Sequence, residues 1–118
     1  MPETIAHLTR RLVEFREERD WAQFHSLKNL LMSLTIESAE LLELAQWKED
    51  GALEADLHRP EVKARLEEEV ADVFLYLLLV CERAGIDLAR AAERKIDLNA
   101  AKYPAHKARG SARKYTEL

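Results

Sequence analysis

The chain has 118 residues, 47% hydrophobic and 34% charged, with a formal net charge of −4 and one cysteine. That length holds one ordinary domain with a single core, and the apolar fraction excludes a disordered chain. The acidic balance argues against a nucleic-acid polymer as partner, and a lone Cys81 excludes a disulfide scaffold or a cysteine-based zinc site.

The opening Met1-Pro2-Glu3-Thr4 has neither the basic region nor the apolar stretch of a signal peptide. The longest apolar run, Val73 to Cys81, is about half of the ~20 residues that span a bilayer. A cytoplasmic protein without a membrane partner is the expectation. Glycine and proline fall at Pro2, Gly51, Pro60, Gly85, Pro104 and Gly110, so long stretches carry no helix breaker and no strand-like alternation. The spacing predicts four helices, over about residues 4–20, 26–48, 60–84 and 87–103. Ser26 and Asp87 read as N-caps, Pro60 suits a first turn, and Gly85 reads as a stop. Trp21 to His25 forms a connector and 51–59 a polar loop. A helical domain over 1–104 and a basic tail over 105–118 follow from this division.

The third helix bears on assembly. Phe74 through Cys81 are apolar without interruption, and residues stepping by about 100° then cover the whole circumference. Such a helix must be surrounded. An all-α fold, a four-helix-bundle core completed by oligomerisation, answers that need better than a central helix in a compact monomer.

The acids carry the chemistry. On a wheel with Glu37 at zero, Leu30, Leu34, Leu41 and Leu44 lie within about 60°. Glu40 sits on the flank of the same stripe. In the third helix, Val62, Val73, Tyr76 and Val80 lie within about 40° of Glu69, and Asp72 sits about 60° to one side. Glu67 and Glu68 point away. Two neighbouring helices thus each carry an acidic pair at i, i+3 on a face that should be buried. Four carboxylates gathered there repel unless bases, protons or a hard cation compensate them. An all-oxygen donor set favours Mg²⁺, with Mn²⁺ as a substitute. A ferritin-like di-iron site would need Glu-x-x-His motifs, and the chain has none.

Aromatic and basic residues share these faces. Trp47 falls two turns after Glu40, Tyr76 one turn after Asp72, and Trp21 and His25 occupy the connector. Lys95, Asn99 and Lys102 fall on one face of the fourth helix. Metal ligands, flat aromatic surfaces and an inward lysine together describe a nucleotide site.

Ile36-Glu37-Ser38-Ala39-Glu40-Leu41-Leu42-Glu43, followed by Glu69-Val70-Ala71-Asp72-Val73, resembles the paired signature of the all-α nucleoside triphosphate pyrophosphohydrolases related to MazG. The segment from Phe15 through His25, Gln46-Trp47-Lys48, and the ending from Lys102-Tyr103-Pro104-Ala105-His106 to Lys114-Tyr115-Thr116-Glu117-Leu118 resemble the dCTP pyrophosphatase branch. The resemblance implies cleavage of the α–β bond of dCTP, or a modified dCTP, to dCMP and pyrophosphate, a sanitation of the nucleotide pool. It implies Glu37, Glu40, Glu69 and Asp72 as catalytic Mg²⁺ ligands. Trp21, His25, Trp47, Tyr76, Lys95 and Asn99 would bind the substrate. Leu12 stands where some relatives have histidine. Two alternatives remain: the same fold acting on dUTP or another non-canonical nucleotide, and a non-enzymatic oligomeric adaptor, which leaves the inward acids without a role.

Overall fold

The computed structural model of the chain describes residues 4–118. Residues 1–3, on which the reading of the N-terminal start rests, lie outside them. Six α-helices occur, α1 Ile5–Glu18, α2 Leu27–Glu43, α3 Ala52–Asp56, α4 Pro60–Ala84, α5 Leu88–Lys102 and α6 Ala105–Ala108, and there is no strand among the described residues. No helix is long and apolar enough to cross a membrane among these residues. The chain divides into two compact units, one ending at Gly85 and the other comprising Ile86–Leu118.

The helix ends follow local chemistry. Thr4, Ser26 and Asp87 cap α1, α2 and α5 by accepting the backbone N–H three residues on, each at 3.1 Å. Pro60 opens α4, where its missing N–H costs no bond. Gly85 closes α4 at φ 69°, and its N–H reaches the Cys81 carbonyl.

Two expected elements differ. The second helix was expected to reach Lys48, but α2 ends at Glu43. From there the Leu44 and Ala45 N–H groups bond three residues back, to Leu41 at 3.3 Å and Leu42 at 2.9 Å, tightening the chain into turns. The turn buries Leu44 and brings Lys48 onto Asp56 at 2.6 Å. No glycine or proline marks this end, so tertiary packing decides it. The expected loop over 51–59 contains α3, which starts from left-handed Gly51 at φ 84° and carries Glu54 in its first turn.

In the first unit, α2 packs mainly against α4, and α1 also packs on α4. Leu30, Leu79 and Val80 form the core, with Leu12, Leu34 and Tyr76 against it. Leu30 is only 1% exposed. Burying a leucine contributes about 1.5–3 kcal/mol, so this cluster supplies much of the unit's cohesion. The successive residues Leu78, Leu79, Val80 and Cys81 are all buried, so that turn of α4 is covered within one chain. Burial also pushes the Cys81 thiol pKa up. The bare apolar stripe lies instead on α2, where Leu27, Leu31, Met32 and Ile36 are exposed.

In the second unit the terminal segment folds back on α5. The Tyr103 and Tyr115 rings meet edge to face at 6.0 Å, and the Lys102 ammonium lies 5.1 Å from the Tyr115 ring centre.

Candidate active site

The packing of α2 on α4 turns the acidic flanks of both helices toward each other. Glu37, Glu40 and Glu69 each present a carboxylate oxygen within 4.8 Å of the other two. Glu37 and Glu69 are half-buried, and the Oε2 atom of each is buried with no hydrogen-bond partner. An unpartnered buried carboxylate oxygen costs about 1–3 kcal/mol or more. The ion pairs of the fold engage Arg16, Lys48 and Arg59, and none reaches these carboxylates among the described residues.

Burial first, and then the neighbouring Glu40, hold the Glu37 pKa above its ordinary value, with Asp72 and Glu69 adding to the effect. Asp72, one turn beyond Glu69, therefore lies within electrostatic reach of the cluster, although the mutually close set comprises the three glutamates. A cluster of this kind suits a hard divalent cation: the donors are all oxygen, two are orphaned, and no base competes for them.

Next to the acids is a cavity of about 220 Å³. Trp21, His25, Asp72 and Tyr76 line it, so four residues singled out from the sequence meet in one place. Asp72 belongs to both the cavity wall and the electrostatic neighbourhood of Glu37. Leu12, Leu75 and Leu79 give the cavity an apolar wall.

The end of α1 sets the Trp21 side of this cavity. Asp20 adopts φ 54°, a left-handed conformation rare outside glycine. The Asp20 and Trp21 N–H groups then bond back to the Glu17 and Arg16 carbonyls, both at 3.1 Å. This closure brings the Trp21 indole edge to face with Phe15, their ring centres 5.6 Å apart. His25 follows the short 3-10 turn Ala22–Phe24. Its Nδ1 is buried without a partner, and burial, then the nearby Arg16 charge, lowers its pKa. The neutral imidazole is therefore favoured, with one ring nitrogen free for a ligand.

The remaining expected residues stand on other elements. Trp47 was placed on a continuation of the second helix. The helix has already ended at Glu43, and Trp47 stands 89% exposed on the turn after it. Lys95 and Asn99 lie exposed on α5 in the second unit. Arg16 and Phe15 line the cavity without having been singled out as site residues. The signal was present for Arg16: it falls one turn after Leu12, on the inward face of the first helix.

The pattern of the MazG-like family matches residues 32–118. The chain is 48% identical to dCTP pyrophosphatase 1 of Homo sapiens and 47% identical to that of Rattus norvegicus. Both alignments extend over 115 residues, 98% of this chain and 68% of the relative. A crystal structure of a pyrophosphatase from Archaeoglobus fulgidus superposes with a TM-score of 0.79 at 42% identity, covering 88% of this chain and 95% of that one. With the all-α fold and the carboxylates between α2 and α4, these matches identify the chain as a member of the MazG-like family.

Proposed function

We propose that the chain is a nucleoside triphosphate pyrophosphatase that hydrolyses the α–β bond of dCTP, giving dCMP and pyrophosphate. The observation that carries this reading is the convergence of Glu37, Glu40 and Glu69, two of them with orphaned oxygens, beside an aromatic-lined cavity. The likeness to dCTP pyrophosphatases along 98% of the chain supports dCTP as the substrate. A cytoplasmic setting, where the nucleotide pool is, accompanies it.

Glu37, Glu40 and Glu69, with Asp72, would hold Mg²⁺, for which Mn²⁺ can substitute. When bound, the ion neutralises phosphate charge and makes an attached water more acidic. Glu37 or Glu40 takes the proton from the attacking water. Trp21 and Tyr76 offer ring faces to the base, and the free His25 nitrogen offers it a hydrogen bond. Trp47 adds a further aromatic contact, and Lys95 and Asn99 serve the phosphates and sugar. Orientation and charge neutralisation then account for most of the rate, as phosphoryl transfer requires. A homodimer or homotetramer is part of the proposal, supported by the bare stripe of Leu27, Leu31, Met32 and Ile36.

Pyrophosphate release from a panel of canonical and modified nucleotides, with Mg²⁺ or with EDTA, tests the reading. Metal-dependent conversion of dCTP to dCMP without dCDP is expected. Turnover of dUTP or a damaged nucleotide alone would overturn the substrate, and no turnover would favour the adaptor. Glu40→Ala and Asp72→Ala should abolish turnover in folded protein. A retained rate would sink the metal assignment.

A further inference from the structure

Among the described residues, Arg16 brings the one permanently charged cation to the wall of the 220 Å³ cavity. Its side chain is 11% exposed, a low value for arginine. The guanidinium is fixed on two sides. Nη1 donates to Glu82 of α4 at 2.9 Å, while Nη2 and Nε donate to Glu17 at 2.8 and 3.1 Å. Three of its five N–H groups are thus engaged, and two remain for a ligand. The backbone is fixed as well, because the Arg16 carbonyl accepts the Trp21 N–H in the closure of α1. Arg16 also stands near enough to His25 for its charge to act on the ring. A planar fork, held by two carboxylates beside an indole and an imidazole, is a rigid donor surface rather than a mobile surface charge.

We propose that Arg16 is a specificity-determining residue of this cavity, donating its remaining N–H groups to a carbonyl oxygen of the bound nucleobase. The proposal rests on the nucleotide reading above. Glu82, on a different helix, acts as the positioning residue that keeps the fork aimed. Bases with a ring carbonyl, cytosine among them, gain a charge-assisted hydrogen bond there. Adenine, which has no carbonyl, gains none. Phosphate-binding groups do not distinguish the two, so this contact contributes to selection and not to the chemical step.

Steady-state kinetics on dCTP, with dATP as a competitive inhibitor, test the role in wild type, Arg16→Ala, Arg16→Lys and Glu82→Gln. Arg16→Ala should raise KM for dCTP about tenfold, as expected for one charge-assisted hydrogen bond, with kcat held within about twofold. The inhibition constant of dATP should stay within about twofold. Arg16→Lys, which keeps the charge but loses the planar fork, should not restore KM. Glu82→Gln should raise KM by a smaller factor, about threefold. An unchanged KM in Arg16→Ala overturns the proposal, as does a parallel rise for dCTP and dATP or full rescue by lysine. Melting curves of all four proteins identify any variant that has lost its fold, and the Lys and Gln substitutions then carry the decision. A wild-type protein that converts no dCTP would instead overturn the nucleotide reading itself.

Discussion

The Trp21 N–H donates to the Arg16 carbonyl at 3.1 Å, and that bond ties the place of an indole to the last turn of α1. Asp20 takes the left-handed conformation, and its carboxylate accepts from the Gln23 side chain at 3.1 Å. The aromatic side of the cavity is therefore built by backbone geometry before any ligand arrives.

Asp20 is then a backbone position more than a charged one. Asp20→Gly should be tolerated, because glycine adopts this conformation freely. Asp20→Val should cost about 1–2 kcal/mol, a fall of several degrees in melting temperature, since β-branched residues resist it. It should also raise KM by displacing Trp21. Thermal melts and dCTP kinetics on the two variants check both statements.

The acidic cluster predicts a conflict between stability and activity. Glu37→Gln removes one of the repelling charges, so the metal-free variant should melt above wild type by about 3 °C. Wild type should gain stability from Mg²⁺ and lose it with EDTA, and Glu37→Gln should respond weakly to either. Melting curves with Mg²⁺ in excess and with EDTA provide the comparison.

His25 sets a pH dependence. Its folded pKa lies below its unfolded value, so the fold favours the neutral ring. Stability is complete above the ordinary value of about 6.5 and falls as pH drops from there through the folded pKa. His25→Asn should lack this loss. Denaturant titrations between about pH 7.5 and 5, with the difference between the two proteins taken at each pH, remove the contribution of the carboxylates.

Trp47 touches little within the chain, so Trp47→Ala should change folding stability by less than about 0.5 kcal/mol. KM for the nucleotide should rise all the same. Equal melting temperatures combined with a weakened KM would distinguish a binding role from a packing role.

The α2 stripe should hold copies of the chain together. Ile36 is 56% exposed, and Ile36→Glu places a charge in the middle of the stripe. Light scattering after gel filtration should show the wild-type assembly dissociating to a smaller species in the variant.

Much of this was legible from residue order. The caps at Ser26 and Asp87, the start at Pro60 and the stop at Gly85 are local hydrogen-bonding problems, and their solutions are readable from side-chain type. The inward acids were legible because helical period alone puts Glu37 and Glu69 among leucines and valines. The end of α2 was not, because no local breaker lies near Glu43. Burial of Leu44 and the Lys48–Asp56 ion pair accompany the end of that helix, and neither is readable from the residues next to Glu43. Trp47 was misplaced for the same reason, since its wheel position assumed a helix that does not continue. Arg16 was overlooked because a charged residue in an arginine- and glutamate-rich helix looks solvated until Glu82 is seen across from it.

The chain's single thiol lies inside the Leu78–Cys81 turn, buried and with its pKa raised. A thiol in that state reacts slowly, because alkylating agents and oxidants attack the thiolate and must reach it. Cys81 is thus a clock for the interior of α4. The rate at which a maleimide labels it under native conditions measures how often that turn opens, and a nucleotide or metal that stiffens the unit will lengthen the interval between openings.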